Sequence, residues 1–385
     1  MNAKAILRWA TQKLLWAPLY RLARLRRLSP RLVLFASELE PAPSDNFRPL
    51  MERLAAEGYD CRFFGVTRAL PGWRRHARIL KFICAYARAR CTFLVDSFSP
   101  TNACKPRPGA ALVQLWHGCG AFKRFGYAAQ DAAYGPDRRQ LRLLPMYRNY
   151  THVCVSAPDV IPQLAEAYGC SPAILMPWGV PRTDFYFKAA YAEASRQLLL
   201  EKFPEIGDRK IVLYAPTFRG EHMGVARHDG VLDYDALAGA LDGSCALLLK
   251  PHPHALKRLP LPPPEPCPFV FNAADVPIET LLCAADLLIS DYSSLIFEYS
   301  LLGRPMLFYP YDLEAYDRER SFFSPYLRFV PGDLVWETED IIAAVKRNLF
   351  EGQFDPARVW AFREANMSAC DGHSTERILH NIFGI

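Results

Sequence analysis

His117, His252, Ser293 and Ser294 each stand where an apolar run gives way to small and polar residues. Four such clusters occur: Trp116 to Gly120 (WHGCG), Ala215 to Arg219 (APTFR), Lys250 to Pro253 (KPHP) and Ser290 to Ser294 (SDYSS). An imidazole, with an ordinary pKa of about 6.5, can take a proton from an attacking hydroxyl at neutral pH. Gly118 and Gly120 would let the backbone beside His117 approach a phosphate closely; a core histidine is the plainer account. Lys123 and Arg124 follow, suited to an anionic acceptor or simply solvated. His252 lies between Pro251 and Pro253, which stiffen its loop. With Lys250 it suits a pyrophosphate whose charge shifts in the transition state. Thr217 and Arg219 offer a hydroxyl and a fork of N–H donors to phosphate oxygens, although Arg219 could also cap a strand end. In SDYSS a helix begins at Ser293 or Ser294. Its free N–H groups plus two hydroxyls make a phosphate site, and Glu298 one turn on could accept hydrogen bonds from a ribose. Ordinary serine capping explains the same residues with no ligand.

Such clusters need elements that bring them to one side, and the hydrophobic patterning supplies them. Short strands are predicted at Leu32–Ala36, Cys61–Val66, Thr92–Val95 and Ala111–Leu115, with helices over 46–57 and 72–89 between them. The pattern repeats at Ile211–Tyr214, Ala246–Leu249, Phe269–Phe271, Leu287–Ser290 and Met306–Tyr309, with helices at 277–284, 294–302, 338–349 and 374–383. The proline-rich run Pro260 to Pro268 reads as a loop. Alternating strands and helices imply parallel, helix-covered sheets, and ligands gather outside the carboxyl ends of such strands. The fold class is therefore α/β, with two Rossmann-like doubly wound domains facing a cleft. The expected organisation is an amphipathic helix over 1–30, one Rossmann-like domain over 31–190, a second over 208–370, and a closing helix over 371–385.

Composition narrows the partners. Of 46 lysines and arginines, eight fall within residues 1–37, which hold no acid before Glu38; the remaining 38 face 40 acidic residues. The basicity is thus local, which argues against a nucleic-acid groove. Residues 3–27 read as a helix carrying tryptophans and leucines among those cations, suited to an anionic membrane surface; packing on the protein's own body is the alternative. No apolar run is long enough to span a bilayer. The 11 cysteines are odd in number and lack CxxC spacing, which suits a reducing compartment and neither zinc nor a disulfide framework. Asp233 and Asp235 look like a carboxylate pair but read better as helix-capping acids, so no metal site is predicted. No Walker loop and no GxGxxG is present.

Taken in order, these clusters resemble the CDP-glycerol glycerophosphotransferase family of teichoic-acid-type polymer synthesis, from about Ala111 to the end. The strongest stretch is Ser290 to Tyr316 (SDYSSLIFEYSLLGRPMLFYPYDLEAY), supported by Trp116-His117-Gly118, Gly179 to Asp184 (GVPRTD), Leu213 to Arg219 (LYAPTFR), His252-Pro253, Pro331-Gly332 and Asp371 to Arg377 (DGHSTER). The resemblance implies the two-domain GT-B architecture. It also implies attack of an acceptor hydroxyl on the β-phosphorus of CDP-glycerol or CDP-ribitol, with CMP leaving and no metal or other cofactor required. Position by position, His117 resembles the general base, and Gly118, Cys119, Gly120 and Ala121 line the donor phosphates. Arg182, Pro216, Thr217, Lys250, Pro251, His252, Ser293, Ser294 and Glu298 resemble donor-binding positions. The chain departs from the family's usual pattern at Cys119-Gly120, at Glu298 and at Arg320-Ser321, which leaves the alditol open. The match is to the shorter, primase-like members. The expected acceptor is lipid-linked, and the expected location is peripheral, on the cytoplasmic face of the cell membrane. A nucleotide-sugar glycosyltransferase of the same fold and an inactive scaffold are the competing readings.

Overall fold

The computed structural model describes residues 3–130, 132, 134–219, 232–252 and 269–385. Pro253, His254 and the run Pro260 to Pro268 lie outside the described residues. The chain divides into two compact units: one holds everything up to Asp184 together with Ser368–Ile385, the other holds Phe185–Met367.

The first unit is built on a parallel sheet of β1 (Ser29–Ser37), β2 (Asp60–Gly65), β3 (Ala89–Leu94), β4 (Ala111–Gln114), β5 (His152–Cys154) and β6 (Leu175–Met176), in the order β2-β1-β3-β4-β5-β6. Val33, Phe35, Phe93 and Val113 pack beneath Phe47, Leu50 and Leu54 of the flanking helix and beneath Ile378 and Leu379. These last two belong to the terminal helix Ser374–Phe383, so the element read as a closing helix completes the first core. Asp184 fixes it there, accepting from the backbone N–H groups of Ser374 at 2.9 Å and Thr375 at 2.8 Å and from the Thr375 hydroxyl at 2.7 Å. The run around His373 and Ser374 therefore serves as an anchored helix start.

The second unit repeats the plan with β7 (Lys210–Tyr214), β8 (Cys245–Leu249), β9 (Val270–Asn272), β10 (Leu287–Ser290), β11 (Met306–Phe308) and β12 (Asp333–Leu334), ordered β12-β11-β10-β7-β8-β9 and parallel throughout. Its central strands are continuous apolar runs because helices cover both faces. Both sheets are doubly wound. The strand order reverses between β1 and β3 in the first sheet and between β7 and β10 in the second, where open α/β sheets take their ligands. Asp233 caps the helix Tyr234–Ala240 through the N–H of Ala236, as the capping reading required.

The N-terminal helix departs from the uninterrupted 3–27 expected. It runs Ala3–Thr11, widens into a π turn at Gln12–Trp16 and continues only to Ala23. Trp16 and Tyr20 are buried, with the Tyr20 ring 5.5 Å from that of Tyr86 and its hydroxyl donating to the Lys105 carbonyl at 2.6 Å. Leu7, Leu14, Leu22 and Leu25 remain exposed. One face of the helix is thus committed to the protein body and the other is not. Among the described residues no helix is long and apolar enough to cross a membrane.

Candidate active site

In the first unit the chemistry gathers at the end of β4. Trp116 adopts a φ of +63°, left-handed for a bulky residue, a strain that persists only when its surroundings impose it. Two side-chain amides do so. Gln114 accepts the Trp116 N–H at 2.9 Å, and Asn46, itself buried, donates to the Trp116 carbonyl at 2.9 Å while accepting the N–H of Arg182 at 3.1 Å. The forced turn presents His117, whose Nδ1 lies 2.8 Å from the Val95 carbonyl. A carbonyl only accepts, so Nδ1 carries the proton and Nε2 is left with a lone pair. His117 is exposed to solvent, yet the surrounding protein disfavours its charged form. Desolvation and, after it, the Arg182 guanidinium lower its pKa, outweighing the Val95 hydrogen bond. The ring is therefore neutral and basic at Nε2 near pH 7.

Gly120 has a φ of +63° and donates its N–H to Ser156 Oγ at 2.9 Å. Gly118 differs: a Cβ there would meet only Trp116 at an ordinary 3.5 Å. Packing does not demand that glycine, whereas a ligand against the backbone would. Cys119 and Ala121 are buried, so only backbone from this pair can face a phosphate.

The reversal point beside this loop is filled from within. The Asp96 carboxylate accepts the Ser37 hydroxyl at 2.5 Å and the N–H groups of Glu38 at 2.9 Å and Leu39 at 3.1 Å. Burial pushes its pKa up to about 6 against those hydrogen bonds. Amides that would cradle a phosphate between β1 and β3 are already engaged.

The second unit uses the same device between β7 and β10. Asp291 accepts the Thr217 N–H at 2.9 Å, the Thr217 hydroxyl at 2.9 Å and the Tyr292 N–H at 2.6 Å. Arg219, with its side chain 3% exposed, pairs with Asp291 at 2.9 Å and forks onto Asp312 at 2.6 and 2.9 Å. It also donates to the Thr217 carbonyl and hydroxyl, each at 3.0 Å. The rings of Tyr292, Tyr311 and Tyr316 lie 4.8–5.1 Å from its guanidinium carbon. Burial would lower the Arg219 pKa, but Asp291 and Asp312 more than reverse this and hold it cationic. Thr217 and Arg219 thus direct these donors inward, where they brace the turn.

Lys250 likewise turns inward, giving two of its three N–H groups to the carbonyls of Ala274 at 2.7 Å and Val276 at 2.6 Å. Pro251 and Pro216 are buried and shape the adjoining turns. His252 is half-buried, its ring 4.8 Å from that of Phe218, which also lies under the Arg320 guanidinium at 5.4 Å. Ser294 is exposed and makes no capping hydrogen bond, while Ser293 Oγ accepts the Leu295 N–H at 3.3 Å. The plain capping account thus fails for Ser294. Glu298 is 4% exposed, on the packed side of its helix. Among the described residues no group of three His, Cys, Asp or Glu side chains could hold a metal.

A family model for CDP-glycerol:poly(glycerophosphate) glycerophosphotransferases matches residues 18–384. The chain belongs to this family. It is an enzyme of the glycerophosphotransferase family and shares 35% identity with a teichoic acid ribitol-phosphate primase of Bacillus spizizenii, over 90% of this chain and 89% of that protein. It shares 35% identity with the teichoic acid ribitol-phosphate polymerase TarL of Staphylococcus aureus, over 91% of this chain but 62% of the polymerase. The fold is that of the wall teichoic acid polymerase TagF, with a TM-score of 0.76 at 20% identity, covering 99% of this chain and 96% of that one.

Residues the sequence reading passed over do much of the positioning in this family member: Ser37, Asn46, Asp96, Gln114 and Ser156 in the first unit, Asp291, Asp312 and Phe218 in the second. Most share one legible signal, a polar residue at or just beyond the last residue of an apolar strand.

Proposed function

We propose that the protein transfers an alditol phosphate from a CDP-alditol to a hydroxyl of a lipid-linked acceptor. The acceptor oxygen attacks the β-phosphorus, and its bond to phosphorus forms as the bond from that phosphorus to the bridging oxygen breaks. CMP leaves with the bridging oxygen, and the hydroxyl proton passes to Nε2 of His117. His252 acts on the donor phosphates as their charge shifts, with the Ser293 and Ser294 hydroxyls as further phosphate contacts. Arg182 and the backbone from Gly118 to Ala121 are further contacts to the donor phosphates. Arg219, Thr217 and Lys250 act as braces. The observation carrying the reading is the fixed tautomer of His117: a neutral ring with a free Nε2, set by the Val95 carbonyl and thrust out by a strained Trp116. Family membership supports a CDP-alditol as donor. The family description names glycerophosphate and the two relatives above are named for ribitol phosphate, so both donors belong in the test. CMP release is expected from CDP-glycerol or CDP-ribitol when a phosphoglycerol-bearing lipid is present. Release of UDP from a nucleotide sugar, with no CMP from either CDP-alditol, would replace this reading with a glycosyltransferase.

The exposed leucines of the N-terminal helix lie among Lys4, Arg8, Lys13 and Arg21, which supports peripheral attachment to the anionic cytoplasmic face of the cell membrane. Because Trp16 and Tyr20 belong to the protein core, substitution is a cleaner probe than deletion. The triple change Leu7→Ser, Leu14→Ser and Leu22→Ser should cut sedimentation with phosphatidylglycerol vesicles by about tenfold or more, with an unchanged melting temperature. Undiminished sedimentation would remove the membrane role.

A further inference from the structure

A cavity of 460 Å³ opens in the first unit, with Tyr127, Tyr147 and Tyr168 in its wall and Arg142 and Arg148 in its lining. Three observations separate it from a surface dimple. Tyr147 and Asn149 have φ values of +54° and +70°, so two left-handed residues flank Arg148; asparagine takes that conformation readily, but in a tyrosine it is strained. The neighbouring helix holds this strained turn: Arg148 donates its N–H to Asn102 Oδ1 at 3.0 Å, and Asn149 Nδ2 donates to the Thr101 carbonyl at 2.7 Å. Strain kept in place by dedicated hydrogen bonds points to a required shape. Tyr168 is 1% exposed and its hydroxyl is buried with no hydrogen-bond partner, a deficit that a ligand's hydroxyl or phosphate would make good. Neither Arg142 nor Arg148 pairs with an acid among the described residues.

The cavity is coupled to the candidate base through one side chain. The Trp116 ring lies 4.0 Å from that of His117, 5.6 Å from Tyr168 and 6.0 Å from Tyr147. Aromatic walls suit the apolar face of a polyol or sugar, and guanidinium groups suit phosphate. Resting on the transferase reading above, we infer that this cavity binds the phosphate-bearing end of the acceptor, with Arg142 and Arg148 on its phosphate and Tyr168 on a hydroxyl.

The test is titration of the full chain with glycerol 3-phosphate, ribitol 5-phosphate and unphosphorylated glycerol, followed by saturation-transfer NMR, beside a separate titration with CDP-glycerol. The double change Arg142→Ala and Arg148→Ala should weaken phospho-alditol binding about tenfold or more. Tyr168→Phe should weaken it less, and the CDP-glycerol affinity and melting temperature should stay as in the unaltered chain. Binding of glycerol as tight as that of glycerol 3-phosphate, unchanged phospho-alditol binding in the double variant, or absence of binding to the unaltered chain would each overturn the inference. Loss of CDP-glycerol affinity in the double variant would overturn it too, by making the cavity part of the donor site. CMP release from CDP-glycerol with the lipid acceptor reports separately on the transferase reading and can persist when the cavity proposal fails.

Discussion

His117→Ala is expected to lower the rate of CMP release by about 10²–10⁴-fold, the range for loss of a positioned general base, while CDP-alditol affinity stays near that of the unaltered protein. The separation follows from geometry. The His117 ring donates its Nδ1–H to the Val95 carbonyl, and the fold around Trp116 depends on Gln114 and Asn46, so truncating the imidazole removes a base without removing a brace. The pH profile provides a second readout. Because desolvation and Arg182 lower the His117 pKa, the neutral form survives to more acidic pH than for a free imidazole. Activity should persist through pH 6.5 and fall only below it, as Nε2 gains a proton. A His117→Ala variant with near-normal turnover, or an acid limb centred above pH 6.5, would remove His117 from the role of base.

The second large effect is on stability. Arg219→Met should destabilise the second unit by about 3–5 kcal/mol, because removing one partner from a buried ionic cluster strands the other charges. Asp291, with its side chain 2% exposed, would lose its cation, and Asp312 would lose two charge-assisted hydrogen bonds. A fall of roughly 6–20 °C in the melting temperature of that unit is expected. Combining Arg219→Met with Asp291→Asn should cost less than the two changes summed, since the groups share one network. The opposite pattern, a raised KM for the CDP-alditol with an unaltered melting temperature, would return Arg219 to the donor's phosphates.

Much of the scaffold was legible because parallel strands covered on both faces are written as apolar runs. Leu287–Ser290 was read to the residue, and Lys210–Tyr214 to within one. Of the strands of two or three residues, β9 and β11 were read from their apolar runs, whereas β5, β6 and β12 went unseen. Of the site, the positions were readable and the directions of the side chains were not. A polar cluster after a strand looks the same whether its donors face a ligand or its own neighbours. Nothing in APTFR announces that Asp312, 93 residues on, will take the guanidinium. Trp116 could not be recognised as strained, since a left-handed tryptophan arises from Gln114 and Asn46 acting together and has no local signature. The N-terminal helix mixed two patterns on one segment, so its buried Trp16 and exposed Leu14 were read as a single face.

The return of the last residues to the first unit has a consequence for synthesis on the ribosome. Asp184 must wait for Ser374 and Thr375, so the earlier-translated core stays unfinished, with the seats of Ile378 and Leu379 vacant, until the whole intervening unit has been translated. A nascent chain stalled before residue 368 would hold the second unit entire and the first one open, a natural substrate for a chaperone.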